Sequence, residues 1–350
     1  MWRHGRTIAI GLLGVGLMAF VLRGADLDRV ADAVLSARLD LLGLAVLAMV
    51  ATYLARAVRW CHLLEPLGRV RLGVALRATV MGFAATAILP GRVGEILRPY
   101  VLARREELSV SAAIGTVVLE RLLDIVVILV IFGVSVVAFV PSLGVEPGGL
   151  LPALYAGAIA AGGLALGTLV LACAAATNPE AVGRGVARVT SILPAGLSQR
   201  LGRVSYRFSE GLGVMRRPGP LVWAMAWTVF VWVSITAGIW LVSVAFGVDM
   251  PPSGAGILLV LIVLGVAVPT PAGVGGYHAA FQVGATTLFA AGAESAVGAG
   301  LVAHAISFVP VTIAGVVLMA CEGVHLTSVS RLAGAAAGGT EPDAYGEDER

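Results

Sequence analysis

Six charged residues stand where so apolar a chain has least room for them. Arg92, Glu95 and Arg98 follow the helix-breaking pair Pro90-Gly91, and Glu120, Arg121 and Asp124 lie ten to fourteen residues into the next apolar run. At 1.5 Å of rise per residue, that depth is roughly mid-membrane. Each charge there costs about 2.5 to 3.5 kcal/mol on insertion scales, so it persists by pairing or by lining a polar path. Glu120 and Asp124, four residues apart, share one helix face, whereas Arg121 points about 100° away. Either acid can pair with Arg92 or Arg98. That leaves an arginine for a phosphate, whose oxygens match the guanidinium fork.

A second break offers backbone instead of charge. Pro271-Ala272-Gly273-Val274-Gly275-Gly276 repeats the Pro-x-x-Val-Gly pattern of Pro90 to Gly94 about 180 positions further on. Amide groups left free at the start of the helix that follows form an anion site. Tyr277 and His278 sit in that first turn, within reach of a headgroup. Gly273, Gly275, Gly276, Tyr277 and His278 therefore join Arg92, Glu95, Arg98, Glu120, Arg121 and Asp124 as candidate substrate-binding residues. Each also has a structural reading, in which the charges pair with one another and pin the chain, the glycines only permit close packing, and His278 bonds a carbonyl. Arg56 and Arg59, near the end of an earlier span, are accounted for by snorkelling to headgroups. His304 is expected to be a satisfied histidine within the bundle.

Nothing in the pattern points to covalent chemistry. The carboxylates have neither a nucleophile nor metal ligands beside them, and no P-loop, HExxH, paired CxxC or Gly-x-Ser-x-Gly elbow is present. Cys61, Cys173 and Cys321 fall singly in or beside apolar runs. No catalytic residue, metal, cofactor or nucleic-acid partner is expected, and the chain is not read as an enzyme.

The elements that must position these residues are membrane spans. Of 350 residues, 58% are hydrophobic and 13% charged, whereas soluble domains carry about 25% charge. The fold class is all-α and polytopic, with about six full spans and two re-entrant helical hairpins, making eight apolar units. Full spans are expected over about 7–22, 41–64, 111–140, 150–176, 221–246 and 296–321, the first of them an uncleaved signal-like segment. The stretches 78–89 and 255–268 are too short to cross about 30 Å of hydrocarbon at 1.5 Å per residue, and each ends at a break. Each is therefore one arm of a hairpin.

All 24 basic residues are arginine, and short basic loops stay cytoplasmic. Arg3 and Arg6 place the N-terminus inside, and the balanced connector 23–40 lies outside. Arg69, Arg71 and Arg77 fall inside, as do the seven arginines of 178–219, which read as a basic amphipathic segment on the cytoplasmic face. Both termini are then cytoplasmic, in a plasma-membrane protein with a disordered tail over 326–350. The same count runs the two halves, about 41–140 and 221–321, in opposite senses. That is an inverted-topology repeat, associated with alternating access.

Leu89-Pro90-Gly91-Arg92-Val93-Gly94-Glu95-Ile96-Leu97-Arg98, Glu120-Arg121-Leu122-Leu123-Asp124 and Pro269-Thr270-Pro271-Ala272-Gly273-Val274-Gly275-Gly276 resemble, in order, the motifs of the lysylphosphatidylglycerol synthase transmembrane-region family. The resemblance covers about residues 5 to 325 and implies a flippase-like domain over 1–325 that moves a lipid between leaflets. In the synthases a separate domain makes that lipid. This chain ends soon after its last span, so a stand-alone member without synthase activity is expected. Its substrate would be a membrane lipid with an anionic or glycosylated headgroup, either a phospholipid or a polyprenyl phosphate. Two other classes fit the same sequence. One is a non-catalytic partner of a lipid-modifying or glycosyl-transferring enzyme, and the other a small-solute carrier or membrane-embedded transferase.

Overall fold

The computed structural model describes residues 2–23, 25–89, 93–139, 150–178, 188, 213–268 and 270–324. Helix α1 spans Trp2–Leu22, and the short α2, Leu27–Leu35, is capped by Asp26, whose carboxylate accepts from the amides of Asp28 and Arg29 at 3.0 and 3.3 Å. Then follow α3 (Leu39–Leu64), α4 (Leu72–Ile88), α5 (Gly94–Arg105), α6 (Val110–Phe139) and α7 (Leu150–Thr177). The second half contains α8 (Pro218–Ala245), α9 (Pro252–Ala267), α10 (Gly276–Phe289) and α11 (Ala293–Cys321). No strand occurs among the described residues. Helices α3, α6, α8 and α11 are each long and apolar enough to cross a membrane. Proline at the first turn of α8 and α9 costs no hydrogen bond and sets the helical φ, which accounts for where those helices begin.

The expected spans over 41–140 and 221–321 coincide with observed helices to within a few residues at most ends. The main difference is α4, which starts at Leu72 instead of residue 78 and takes Arg77 into its second turn. An arginine is tolerated there because it lies at the end of the bundle, 3.7 Å from the Glu322 carboxylate. The tail 326–350 lies outside the described residues, as does most of the basic segment 178–219. Within it, Gly213–Arg216 forms a 3-10 turn against Pro66.

Helices α4 and α5 form one helical hairpin, and α9 and α10 form another. The bases of the two lie at opposite ends of the molecule. Arg71 and Glu106 close the first base with a 3.0 Å ion pair. The Phe289 ring packs against Gly254 and Met250 to close the second. The arms of each hairpin touch backbone to backbone. A Cβ on Gly94 would overlap the Gly82 carbonyl, and one on Gly276 would overlap that of Gly265.

Contacts between the halves follow one rule. The pairs α3–α4, α4–α5, α5–α6 and α3–α6 are matched by α8–α9, α9–α10, α10–α11 and α8–α11. Across the halves, α6–α9 is matched by α11–α4 and α6–α8 by α11–α3, while α3 packs on α8 itself. Two core clusters result. One surrounds Trp60, Leu102 and Leu119 and includes the first hairpin; the other surrounds Leu258, Phe281 and Phe246 and includes the second. The end of the molecule at the first hairpin's base carries Arg71, Arg77, Arg105 and Arg216, with Glu322 bonded to Arg105. The opposite end carries Asp26, Asp28, Asp32 and Asp40 beside Arg29 and Arg38, and the Arg38 amide there bonds the carbonyl of Ala245.

Candidate functional site

The tips of the two hairpins face one cavity of about 360 Å³. Glu95, Arg98 and Thr86 reach it from the first hairpin, Thr270, Ala272 and Gly273 from the second, and Arg121 from α6. Neither hairpin is a continuous helix. The first is interrupted between Ile88 and Gly94. The second turns through Pro271–Gly273 with Ala272 and Gly273 in the left-handed region at φ 51° and 70°.

Behind the cavity lies a buried network of charge. Arg59 of α3 is fully buried and bridges two acids, its Nη2 lying 2.8 Å from Glu120 Oε1 and its Nη1 2.5 Å from Asp124 Oδ1. Glu120 Oε1 also takes Arg98 Nη1 at 2.8 Å, and Asp124 Oδ1 takes the Trp232 indole N–H at 2.8 Å. Arg121 stands at the edge, 3.3 Å from Asp124 and 3.5 Å from Glu120, with 37% of its side chain exposed. The Arg98 guanidinium lies 3.9 Å above the Trp60 ring, a desolvated cation–π contact.

Charge in this network does not balance. Among the described residues, Arg56, Arg59, Arg98 and Arg121 outnumber Glu120 and Asp124 across these contacts even with the Glu95 carboxylate at the cavity wall counted, and Arg56 makes no ion pair there. Its guanidinium lies between Phe83, at 5.1 Å, and Trp232, at 5.9 Å, with two nitrogens lacking a hydrogen-bond partner among the described residues. Arg98 Nε and Nη2, Arg121 Nε and the Thr270 hydroxyl also lack hydrogen-bond partners among the described residues. Arg98, Arg121 and Thr270 all line the cavity. Buried donors and cations left in this state are costly, and a bound anion would offset that cost.

The sequence-predicted residues separate into three groups. Glu95, Arg98, Arg121 and Gly273 line the cavity, and Glu120 and Asp124 lie directly behind it, holding Arg98, Arg121 and Arg59. Gly275, Gly276, Tyr277 and His278 do not line it. Gly275, at φ 84°, packs against Gly14 and Leu17 of α1; Gly276 packs on Gly265; and Tyr277 and His278 turn toward α11. Among the described residues His278 bonds no carbonyl; its Nδ1 accepts the Gly275 amide at 3.2 Å. Arg92 lies outside the described residues.

Arg56 and Arg59 correct the snorkelling expectation. They point inward because α3 packs along α8, which buries the face of α3 that carries both. Their spacing of three residues on one face was visible in the sequence. Which way that face turned was not, and Trp232 gave no signal at all.

The fold and site define a polytopic helical membrane protein in which two broken hairpins share a cavity backed by buried arginine. The family model of the lysylphosphatidylglycerol synthase TM region matches residues 7–315, and the chain belongs to that family. It is also similar to glycosyltransferase AglD of Haloferax volcanii, at 25% identity over 92% of this chain. The chain spans 55% of the length of that relative.

Proposed function

We propose that this protein is a lipid translocase. It holds the phosphate-bearing headgroup of a phospholipid or polyprenyl phosphate in the cavity between the hairpins, while the tail stays in lipid. The observation that carries this reading is the surplus of buried guanidinium next to a cavity reached from both hairpin tips. Arg98 and Arg121 would take the phosphate oxygens, Thr270 would donate its hydroxyl, and Arg56 would supply long-range positive potential through the low-dielectric wall. Glu120 and Asp124 would hold the arginines in place. Translocation of this kind forms and breaks no covalent bond.

Six spans and two re-entrant hairpins, related as an inverted repeat, form the architecture of this reading. The matched helix contacts and the opposite placement of the hairpin bases support it. The arginine-rich end would be cytoplasmic and the plasma membrane the site of action. A second reading, the membrane module of a glycosyl-transferring system, is favoured by the similarity to a protein named a glycosyltransferase that is nearly twice as long.

Reconstitution into vesicles with leaflet-selective fluorescent lipids tests the primary reading. Wild-type protein should accelerate exchange of an anionic lipid, and Arg121→Ala, removing a half-exposed cation, should cut that rate at least about tenfold, the loss expected for one charge-assisted phosphate contact. Movement of neither phospholipid nor polyprenyl phosphate would defeat it.

A further inference from the structure

The second hairpin and the helix after it hold a pair of imidazoles where the first hairpin and the helix after it hold arginine and carboxylate. His278 of α10 and His304 of α11 stand with ring centroids 4.6 Å apart. Both are bonded to the loop that lines the cavity. His304 Nε2 lies 2.9 Å from the Ala272 carbonyl. A carbonyl can only accept, so this nitrogen carries the proton. His278 Nδ1 accepts the Gly275 amide at 3.2 Å, so this nitrogen is unprotonated. The two rings thus hold the loop at both ends, across a segment in which Ala272, Gly273 and Gly275 all have positive φ.

We propose that the His278–His304 pair is a proton-binding site that latches the second hairpin loop and couples its opening to proton uptake. The two rings respond differently to a proton. On His304 it adds to Nδ1 and leaves the Nε2–H bond to Ala272 intact. On His278 it adds to Nδ1, the nitrogen that accepts from Gly275, so the amide loses its partner and faces an N–H instead. Two imidazolium rings at this separation repel, so the pair holds one proton, which opens the latch when it passes from His304 to His278 Nδ1. His304, half-buried, is the point of entry, and His278, 3% exposed, is the latch.

Other titratable groups near the pair are few. Tyr277 lies 5.2 Å from the His304 ring by centroids, and Tyr53 of α3 donates to the Ser307 carbonyl at 2.9 Å. Residues 252–267 of α9, residues 12–22 of α1 and all of α8 carry no titratable side chain. Helix α4 brings Arg77 and α2 brings Asp28, Arg29 and Asp32, and Arg56 and Arg59 lie on α3. Arg98 and Arg121 lie across the cavity from Ala272 and Gly273. Proton uptake at the pair therefore changes the field at the cavity and frees its wall in one step. The latch stands on its own geometry; its role as a coupling device rests on the translocase reading.

Hydrogen–deuterium exchange of full-length protein in lipid nanodiscs tests the latch, read as protection of residues 270–276 after correction for intrinsic chemical exchange. Between about pH 8 and about pH 4, a range that also covers a buried histidine, protection should fall at least about fivefold, as expected for loss of one hydrogen bond. In His278→Gln the amide oxygen can still accept from Gly275 but cannot titrate, so protection should stay high and flat. In His278→Ala it should be low and flat, with helices α3 and α6 protected as in wild type. Flat protection in wild type, or an unchanged pH response in His278→Gln, overturns the proposal. Lipid exchange with an imposed proton gradient separates the two claims. A pH-dependent loop in protein that moves no lipid keeps the latch and removes the translocase. Lipid movement with a flat loop does the reverse.

Discussion

At the scale of single residues, the buried arginines differ in what they hold. Glu120 is touched by Arg59, Arg98 and Arg121, so Glu120→Gln leaves three guanidiniums around a neutral amide. Breaking a buried pair from one side costs about 3 to 5 kcal/mol, and thermal unfolding in detergent should show a loss of that order. Among the described residues Arg56 makes no ion pair with a carboxylate. Arg56→Met keeps contact with Phe83 and Trp232 and removes an uncompensated cation. Its unfolding midpoint should hold or rise while the affinity for inorganic phosphate or a short-chain phospholipid, measured by calorimetry, falls. Equal destabilisation by both variants would mean that Arg56 is structural. The six charges near the first break were legible in the sequence because charge in an apolar run has few explanations. Arg59, which bridges both acids, was not, because a cation near a helix end can snorkel or turn inward, and only its neighbours decide.

At the scale of elements, the hairpins depend on backbone contact. Gly94 and Gly276 meet the opposite arm with no space for a methyl group, so Gly94→Ala and Gly276→Ala must part the arms. Overpacking of this kind costs about 1 to 3 kcal/mol. Gly133 of α6 provides the contrast, since a methyl group added there would meet nothing within 4 Å. Alanine there should be neutral or stabilising by up to about 1 kcal/mol, because glycine weakens a helix interior. Thermal unfolding of the three variants side by side checks this, and a similar loss at Gly133 would contradict it. The breaks at the hairpin tips were legible, because a helix-breaking proline follows each short apolar stretch. The inner packing of the hairpins was not, since the sequence held many more glycines than the few that touch.

At the scale of the molecule, the two ends differ in charge and each hairpin is rooted at a different end. If the arginine-rich end is cytoplasmic, single cysteines in the 106–109 turn should resist membrane-impermeant maleimide in intact cells. Cysteines in the 247–251 turn between α8 and α9 should react. Labelling of the first turn and protection of the second would invert the topology and the direction proposed for the hairpins.

By itself the chain's sequence determined that this is a helical membrane protein with two broken hairpins, because hydrophobic length and proline act locally and leave a trace in composition. It also marked the acids of α6, since isolated charge is expensive in lipid wherever it falls. Only the tertiary structure decided which arginines those acids hold and that both breaks open on one cavity. It alone showed that His278 and His304, 26 positions apart, are bonded to the same loop. Those outcomes depend on how α3 meets α8 and how α10 meets α11, and packing between helices distant in sequence is set by the shapes of both surfaces together.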